Sequence, residues 1–500
     1  MRRSIPIFYS ALMLTGVNLL LRMVSTSFQV FLSGRIGAAG IGLLQLVLSV
    51  GSLAMTAGIG GIRTATMYLT AEELGKKRPG NVVWVISGSI VYSLLFSCTV
   101  GAGLFLGAPW IAGHWIGDMQ ALGAIRLFAS FLPVCCMTGV MVGYFTAANR
   151  IGTLAAVEVA EQAVTMAVTV GALYFWAGDD PGKASMAVVG GSGLGACLTL
   201  LCLVILRCRE RSPQGKQLRL RDRLCRTALP LAVADDLKAG ISTAENLMVP
   251  KRLALFRGVG NPLAVFGTVC GMVFPVLMFP ACILFGLTEL LIPELARCNA
   301  AGSRRRIRYL VKRSLRLALL YGTISGGVLY LCSDALCRRL YGSVEAGQYL
   351  GWFSVLTVML YSDIVTDAMI KGLGQQNASV RYNILTSVMD LVLLYFLLPR
   401  YGISGYFFSF TVTHGVNFAL SLRRLLMISR VRIPFHVPVL TLSCGAGAVW
   451  VARWIDQPVL RALGFGVILF CLLTLMGVVS KADLLWVKGL IKKRQPSQEG

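Results

Sequence analysis

The chain has 500 residues, of which 56% are hydrophobic and 14% are charged, and its mean hydropathy is +0.72. This composition is too apolar for soluble domains of this length and is typical of a polytopic membrane protein. The formal net charge of +25 would also suit a nucleic-acid-binding protein. However, the basic residues fall in connections between apolar runs, without interleaved aromatics. We therefore expect a membrane bilayer, and no nucleic acid, as the partner.

The N-terminus begins with two arginines and an apolar run, as a signal peptide does. The run from Ile5 to Leu32 covers about 28 residues, well beyond the 7–15 of a signal-peptide core, and no A-x-A site follows it. We therefore expect it to remain as the first membrane span.

Runs of at least about 18 mainly apolar residues predict fourteen transmembrane helices and an all-α fold. In chain order the predicted spans are 6–32, 41–69, 82–106, 122–147, 153–176, 185–206, 227–249, 263–293, 309–332, 348–370, 380–399, 402–422, 436–455 and 459–479. The segment "GRIGAAGIG" (34–42) is predicted to bend the chain tightly between the first two spans. "GGSGLG" (190–195) lies inside the sixth span without a preceding strand, which favours helix packing over nucleotide binding.

Lysine and arginine are concentrated in alternate connections. With the N-terminus placed inside, the internal segments hold 33 of the 47 basic residues and the external segments hold ten. Cytoplasmic segments of membrane proteins carry such an excess. Both termini are therefore predicted to face the cytoplasm.

The basic segment 207–226 divides the first twelve spans into two sets of six. We predict an N-terminal six-helix lobe (1–206), this cytoplasmic linker, a C-terminal six-helix lobe (227–425), a terminal helix pair (436–480) and a basic cytoplasmic tail (481–500). The lobes echo each other in "YFTAANRIGTLAAVEVAEQAV" and "IKGLGQQNASVRYNILTSVMDLV". Six spans are an even number, so the two lobes are predicted to form a parallel pseudo-repeat about an axis along the membrane normal.

Polar residues recur every three or four positions in the first span, which places them on one stripe of a helix. They are Thr15, Asn18, Arg22, Ser25 and Gln29. Arg22 is at least ten residues, or about 15 Å, from either end of the span, too far to snorkel easily to the membrane surface. The stripe either lines a water-filled cavity or joins helices through hydrogen bonds, with Arg22 neutralised by an acid.

The second span repeats this design. Its stripe is Gln45, Ser49, Ser52, Thr56 and Arg63. Arg63 lies near the cytoplasmic edge, so snorkelling and substrate binding both remain open for it. We take Gln45 and Arg63, together with the polar residues of the first span, as the candidate substrate cavity.

Ionisable residues in other spans are candidates for ion coupling or for counter-charges to the arginines. The seventh span carries Asp235, Lys238, Ser242 and Glu245 on one face, where Asp235 and Lys238 can pair locally. The remaining acids are Glu158, Glu161, Asp363, Asp367 and Asp390. The sequence does not choose between the two roles.

No catalytic or metal centre is predicted. The fourteen cysteines form no C-x-x-C motif, and the three histidines, His114, His414 and His436, are far apart. We expect no cofactor, with H⁺, Na⁺ or the membrane potential as the energy source for any transport. The sequence predicts no oligomeric state.

Several stretches together resemble stage V sporulation protein B and related polysaccharide flippases of the multidrug/oligosaccharidyl-lipid/polysaccharide (MOP, MATE-like) superfamily. The resemblance covers about residues 10 to 425, diffusely, and rests on the order of the matching stretches. They are "LLLRMVSTSFQVFLSGRIGAAGIGLLQLV", "GYFTAANRIGTLAAVEVAEQAV", "ENLMVPKRL", "FPVLMFPACILFGLTELLIPELA", "KGLGQQNASVRYN" and "LLPRYGISGYFFS".

This resemblance implies an alternating-access flippase with two six-helix lobes and a terminal helix pair. It would carry an undecaprenyl-diphosphate-linked oligosaccharide or cell-wall precursor to the outer leaflet of the bacterial plasma membrane, in spore or envelope polysaccharide synthesis. Arg22 would then bind the pyrophosphate, because its planar fork suits phosphate oxygens. The chain departs from lipid II flippases, which have an Arg-Asp pair where this sequence has Phe28 and Gln29. From the sporulation group it departs at Gly152 and Thr165.

Three other classes remain open. A cation-coupled multidrug antiporter of the same superfamily usually has twelve spans and a cavity with acids, so fourteen spans and Arg22 in the first span argue against it. A membrane glycosyltransferase or ligase would need catalytic acids or a His on a sizeable outer loop, whereas the outer loops predicted here are short. A non-transporting scaffold for envelope enzymes would not require Arg22.

Overall fold

The computed structural model describes residues 4–76, 78, 80–148, 150–178, 180–209, 220–431, 434 and 436–477. These residues are overwhelmingly helical and include no β-strand. The predicted all-α fold is confirmed. The linker between 210 and 219 and the tail beyond 477 lie outside the described residues.

The first seven helices cover the first seven predicted spans, with α1 and α2 together covering the first two. They are α1 (Ser4–Ile59), α2 (Ile62–Gly75), α3 (Asn81–Trp110), α4 (Ala121–Ala147), α5 (Ile151–Ala172), α6 (Pro181–Cys208) and α7 (Leu220–Leu253). One π-helical turn at Ile111–Ile116 continues α3, and another at Leu173–Ala177 continues α5.

The remaining helices are shorter on average. They are α8 (Pro262–Gly267), α9 (Phe274–Met278), α10 (Cys282–Ala300), α11 (Arg304–Tyr341), α12 (Val344–Ser354), α13 (Thr357–Gly372), α14 (Gln376–Ser429), α15 (His436–Ala452) and α16 (Pro458–Leu475). A third π-helical turn, Thr268–Val273, joins α8 to α9.

Glycines divide the two longest helices into two spans each. Gly37 interrupts α1 at φ 78° and ψ 172°, and Gly402 interrupts α14 at φ 57° and ψ −134°. Such conformations are open almost only to glycine. The predicted bend in "GRIGAAGIG" is therefore confirmed.

Eight continuous helical stretches of the described chain are long and apolar enough to cross a membrane, or ten if each of two bent pairs counts as one span. The breaks at Gly37 and Gly402 divide two of these stretches into separate spans. α7, which carries the polar stripe, and α15, which has 17 residues, complete the fourteen predicted spans.

Three predicted spans are not single helices. The second ends at Gly60 and Gly61, both with positive φ, before α2 begins. The eighth is made of α8, the π-helical turn, α9 and α10. The tenth consists of α12 and α13, which meet at 57°. Hydropathy reports how many apolar residues follow one another and is insensitive to such breaks.

The chain packs into two compact units. The first contains residues 1–282 and 384–410, and the second contains residues 283–383 and 411–500. Residues 227–282 belong to the first unit because α7 and α8 pack against α1. The lobe limits given above stay a prediction.

The first unit has two packing centres. α4 packs against α3 and α6, with Phe145, Leu154 and Leu203 in the buried core between helices. α1 approaches α8 so closely that a Cβ at Gly267 would lie 1.9 Å from the Ala38 carbonyl oxygen. This close approach fixes the polar second half of α1 within the unit.

The second unit is organised around α11. This helix packs against α12, α13, α15 and α16. Leu331, Ala448, Phe465 and Leu469 form part of the buried cluster that joins it to the terminal helix pair. A Cβ at Gly327 would meet the Phe465 ring at 2.1 Å, so this glycine admits the ring against the α11 backbone.

Candidate substrate and ion sites

The charged residue in the first polar stripe of α1, Arg22, is exposed. The Arg22 and Ser25 side chains are exposed, and Gln29, one turn farther on, is half-buried. Arg22 also lies close enough to Cys282 to interact with that thiol electrostatically. The side chains of Thr15 and Asn18 lie outside the described residues. A guanidinium in this position is costly in hydrocarbon, so it needs water or polar partners.

The stripe in the second half of α1 has a different environment. The Ser49 hydroxyl accepts a hydrogen bond from the Asn246 side-chain amide at 2.9 Å and donates one to the Gln45 carbonyl at 2.9 Å. The Thr243 hydroxyl donates to the Ser49 carbonyl at 3.0 Å. Here the stripe joins α1 to α7, which matches the interhelical hydrogen-bond interpretation. Gln45 itself is half-buried.

Arg63 lies within electrostatic range of an acid on another helix. Its guanidinium on α2 is exposed and interacts electrostatically with Glu158 on α5. A Cβ at Gly143 would lie 2.6 Å from the Arg63 carbonyl oxygen, so α4 packs directly on this part of α2. The counter-charge interpretation therefore suits Glu158 and Arg63.

Glu161, one turn beyond Glu158, has a neutral partner. Its Oε2 accepts a hydrogen bond of 2.7 Å from the hydroxyl of Thr199 on α6. Thr199 is 1% exposed. The contact joins α5 to α6 inside the first unit.

The two acids that meet most directly are Glu245 on α7 and Asp390 on α14. Their carboxyl groups share a hydrogen bond. Two ionised carboxylates at this separation would repel each other, because neither can donate a hydrogen bond. The Ser409 hydroxyl donates to Asp390 Oδ1 at 2.6 Å.

An aromatic hydroxyl completes this group. Tyr406 is buried, shares a hydrogen bond with Cys270, and lies within electrostatic range of both acids. Cys270 belongs to the π-helical turn between α8 and α9. The cluster Glu245, Asp390, Tyr406, Ser409 and Cys270 is called the acid-pair site below.

The rest of the α7 stripe does not enter this site. Asp235, Lys238 and Ser242 are exposed. Local pairing of Asp235 with Lys238 stays a prediction. Only Glu245, at the end of the stripe, reaches a carboxyl partner on another helix.

The acids of the second unit have polar and basic partners. Asp367 forms a 2.6 Å ion pair with Lys371 one turn away and accepts a hydrogen bond from Ser379. Asp363 Oδ2 accepts a 2.9 Å hydrogen bond from the Asn417 amide. Asp363 Oδ1 and Asn417 Oδ1 are buried without a hydrogen-bond donor.

Sequence reasoning missed the neutral partners of the acids. They are the hydroxyl and amide side chains of Thr199, Ser379, Tyr406, Ser409 and Asn417. A hydroxyl or amide within a membrane helix signals interhelical hydrogen bonding, but its partner lies far away in the sequence. No group of three His, Cys, Asp or Glu side chains forms a metal site among the residues described.

Comparison with known proteins agrees with this architecture. No protein-family model matches the chain. Stage V sporulation protein B of Bacillus subtilis (strain 168) is 22% identical over 475 residues, covering 91% of this chain and 89% of that protein.

Solved structures give the same result for the fold. The lipid II flippase MurJ in an inward closed conformation superposes with a TM-score of 0.69 at 10% identity, covering 93% of this chain and 98% of MurJ. An inward-facing multidrug resistance transporter of the MATE family superposes with a TM-score of 0.60 at 17% identity, covering 84% and 100%. The resemblance read from the sequence is thereby confirmed: the chain is a relative of stage V sporulation protein B and has the fold of the MOP superfamily transporters.

Proposed function

We propose that the chain is an alternating-access flippase for a lipid-linked sugar. The substrate would be an undecaprenyl-diphosphate-linked oligosaccharide or cell-wall precursor, moved from the cytoplasmic to the outer leaflet of the bacterial plasma membrane. Similarity to a sporulation protein and to the fold of a lipid II flippase supports this class of substrate. Both termini would lie in the cytoplasm.

The observation that carries the proposal is the exposed guanidinium of Arg22 on the first membrane helix. A pyrophosphate is a compact anion, and arginine can bind two of its oxygens at once. Ser25 and Gln29, on the same stripe, would donate neutral hydrogen bonds to phosphate or sugar. No covalent bond in the substrate has to break, so the stripe needs only to bind the headgroup and release it.

Substitution of Arg22 tests this role. The full-length protein is reconstituted in vesicles that contain undecaprenyl diphosphate bearing a fluorescent sugar, and an impermeant quencher reports transfer between leaflets. Arg22→Ala should abolish transfer, and Arg22→Lys should retain part of it, because lysine keeps the charge without the fork.

Arg126→Ala is the matched control. Arg126 also lies in a membrane helix, but its guanidinium is stacked on the Phe105 ring at 5.4 Å. This variant should transport at the wild-type rate. Full transport by a normally inserted Arg22→Ala protein would overturn the headgroup role.

We further propose that the acid-pair site couples transport to a cation gradient. Glu161, Asp363 and Asp367 have a hydroxyl, an amide and a cation as partners, whereas Glu245 and Asp390 each have a carboxyl group as a partner. A carboxyl pair that holds one proton can release it, or exchange it for Na⁺, when the helices that carry it separate.

Glu245→Gln and Asp390→Asn keep the shape of each side chain and remove one carboxylate. Each should make transport independent of an imposed H⁺ or Na⁺ gradient. Asp367→Asn is the control, since this acid is already paired with Lys371. If both acid-pair variants keep the wild-type gradient dependence, the coupling proposal fails and a structural role remains.

A multidrug antiporter is the second candidate, favoured by the fold shared with a multidrug resistance transporter. A purified protein that exchanges organic cations for H⁺ or Na⁺, with Arg22→Ala fully active, would support it. Transport of the lipid-linked sugar with dependence on Arg22 would exclude it.

A further inference from the structure

The second unit contains a large cavity that includes neither Arg22 nor any residue of the acid-pair site, all of which belong to the first unit. Its volume is about 880 Å³, and its walls come from α11, α13, α14 and α15, from the link between α12 and α13, and from the residues after α16. Most of its lining is apolar, with Leu315 and Leu319 on α11, Met359 on α13 and Phe418 on α14. Its volume lies near the upper end of the ~300–1,000 Å³ range of ligand pockets.

Positive charge is confined to one end of this cavity. Lys312 and Arg316 line it one helical turn apart on the same face of α11, and His436 at the first turn of α15 lies in the same lining. None of the described lining residues is acidic. This end belongs to the basic stretch 304–316, which continues directly into an apolar membrane helix.

A second cavity of about 400 Å³ continues the first along α11 and α15. The two share Val355, Val358 and Leu442 in their linings. Small residues, Gly326 and Gly445, open the space between the helices there. The two cavities together form a long apolar crevice, with Lys312 and Arg316 beside the start of α15 and Arg453 just beyond its C-terminal end. Cationic side chains along an apolar crevice are the complement of an anionic amphiphile.

We propose that this crevice binds an anionic phospholipid of the surrounding bilayer. The phosphate would lie between Lys312 and Arg316, and an acyl chain would follow Leu319 and Met359 into the apolar part. Basic clusters beside a membrane helix attract anionic lipids in this way. The inference is independent of the proposed substrate, whose headgroup would bind at Arg22 in the first unit.

The chain's own C-terminal segment is a weaker match for the crevice. It follows Gly477, which lines the cavity, but residues 478–500 contain five Lys and Arg and only two acids. Like charges would then meet at Lys312 and Arg316. A bilayer phospholipid has the opposite charge and is present in large excess, so mass action also favours it.

Native mass spectrometry of the purified full-length protein tests the site. The protein is titrated with phosphatidylglycerol and, separately, with phosphatidylcholine of the same acyl chains. Wild-type protein should bind phosphatidylglycerol at least about tenfold more tightly, and K312Q/R316Q should lose this preference. R304Q/R313Q removes the same charge from the same helix outside the cavity lining and should keep it.

A photoreactive phosphatidylglycerol with a diazirine on its acyl chain gives a second readout. Its cross-links should fall on peptides of α11, α13 and α15 in wild-type protein and be lost in K312Q/R316Q. Unchanged preference in K312Q/R316Q would overturn the proposal, as would equal losses in both double variants. Cross-links concentrated in residues 478–500, or displacement only by the undecaprenyl-linked probe, would also overturn it.

Discussion

The carboxyl groups inside the helices differ in what satisfies them. Glu158 lies within electrostatic range of Arg63, Asp367 forms an ion pair with Lys371, and Glu161 accepts a hydrogen bond from a hydroxyl. These two kinds of partner act differently. A cation offsets the negative charge of the carboxylate in a medium of low dielectric, whereas a hydroxyl only donates a hydrogen bond. Removal of a hydroxyl that donates to such an acid should therefore destabilise the protein.

Thr199→Val should destabilise the protein. Valine has the shape of threonine but cannot donate the 2.7 Å hydrogen bond to the half-buried Glu161, and a hydrogen bond of this kind contributes about 1 kcal/mol. We expect a lower midpoint of thermal unfolding for the purified protein and recovery in Thr199→Ser. Thr99→Val is the control, because that exposed hydroxyl donates only to Leu95 in its own helix. Equal midpoints for the two valine variants would contradict this role of Thr199.

The same partnerships show what the sequence could and could not predict at the residue scale. Helical spacing placed Arg22, Ser25 and Gln29 on one stripe, because that depends only on the geometry of a single helix. The same spacing also grouped Glu245 with Asp235 and Lys238. The partner of Glu245 lies 145 residues later, so neither spacing nor composition could pair it with Asp390.

At the scale of elements, the length of the apolar runs predicted the spans. The structure shows backbone breaks within some of them. Fourteen runs were recognisable because a helix of about 20 apolar residues matches the bilayer core. The break at Gly37 was visible in a glycine-rich turn, whereas those at Gly60 and between α12 and α13 were not. Single glycines are so frequent in apolar helices that the sequence does not identify the ones that bend the chain.

Gly37→Ala should weaken the turn between the first two spans. No atom lies within 4 Å of a Cβ at Gly37, so any cost arises from the backbone at φ 78° and ψ 172°, about 1–3 kcal/mol for a residue other than glycine. Gly16→Ala is a matched control in the same helix, also in open space but without a positive φ. Thermal unfolding should show a lower midpoint for Gly37→Ala alone. A midpoint at or above that of Gly16→Ala would show that the break tolerates a side chain.

At the scale of the whole molecule, the distribution of charge explains why a chain with a net charge of +25 need not bind nucleic acid. Basic residues are concentrated at helix ends, as in Arg304, Arg305 and Arg306 at the start of α11. A cytoplasmic leaflet rich in anionic lipid attracts such segments, at about 1 kcal/mol for each basic residue near the surface. The same bias predicts the direction in which each helix crosses the bilayer.

Labelling of single cysteines tests the orientation. In a variant without the native cysteines, Arg257→Cys lies in the connection after α7, predicted to be external, and Ser303→Cys lies in the connection before α11, predicted to be internal. Both positions are exposed. A membrane-impermeant maleimide should label Arg257→Cys in intact cells and Ser303→Cys only after the membrane is opened. The reverse pattern would place both termini outside. Arg22 would stay on the first helix, but a pyrophosphate would then meet the stripe from the opposite leaflet, and the proposed direction of transport would be wrong.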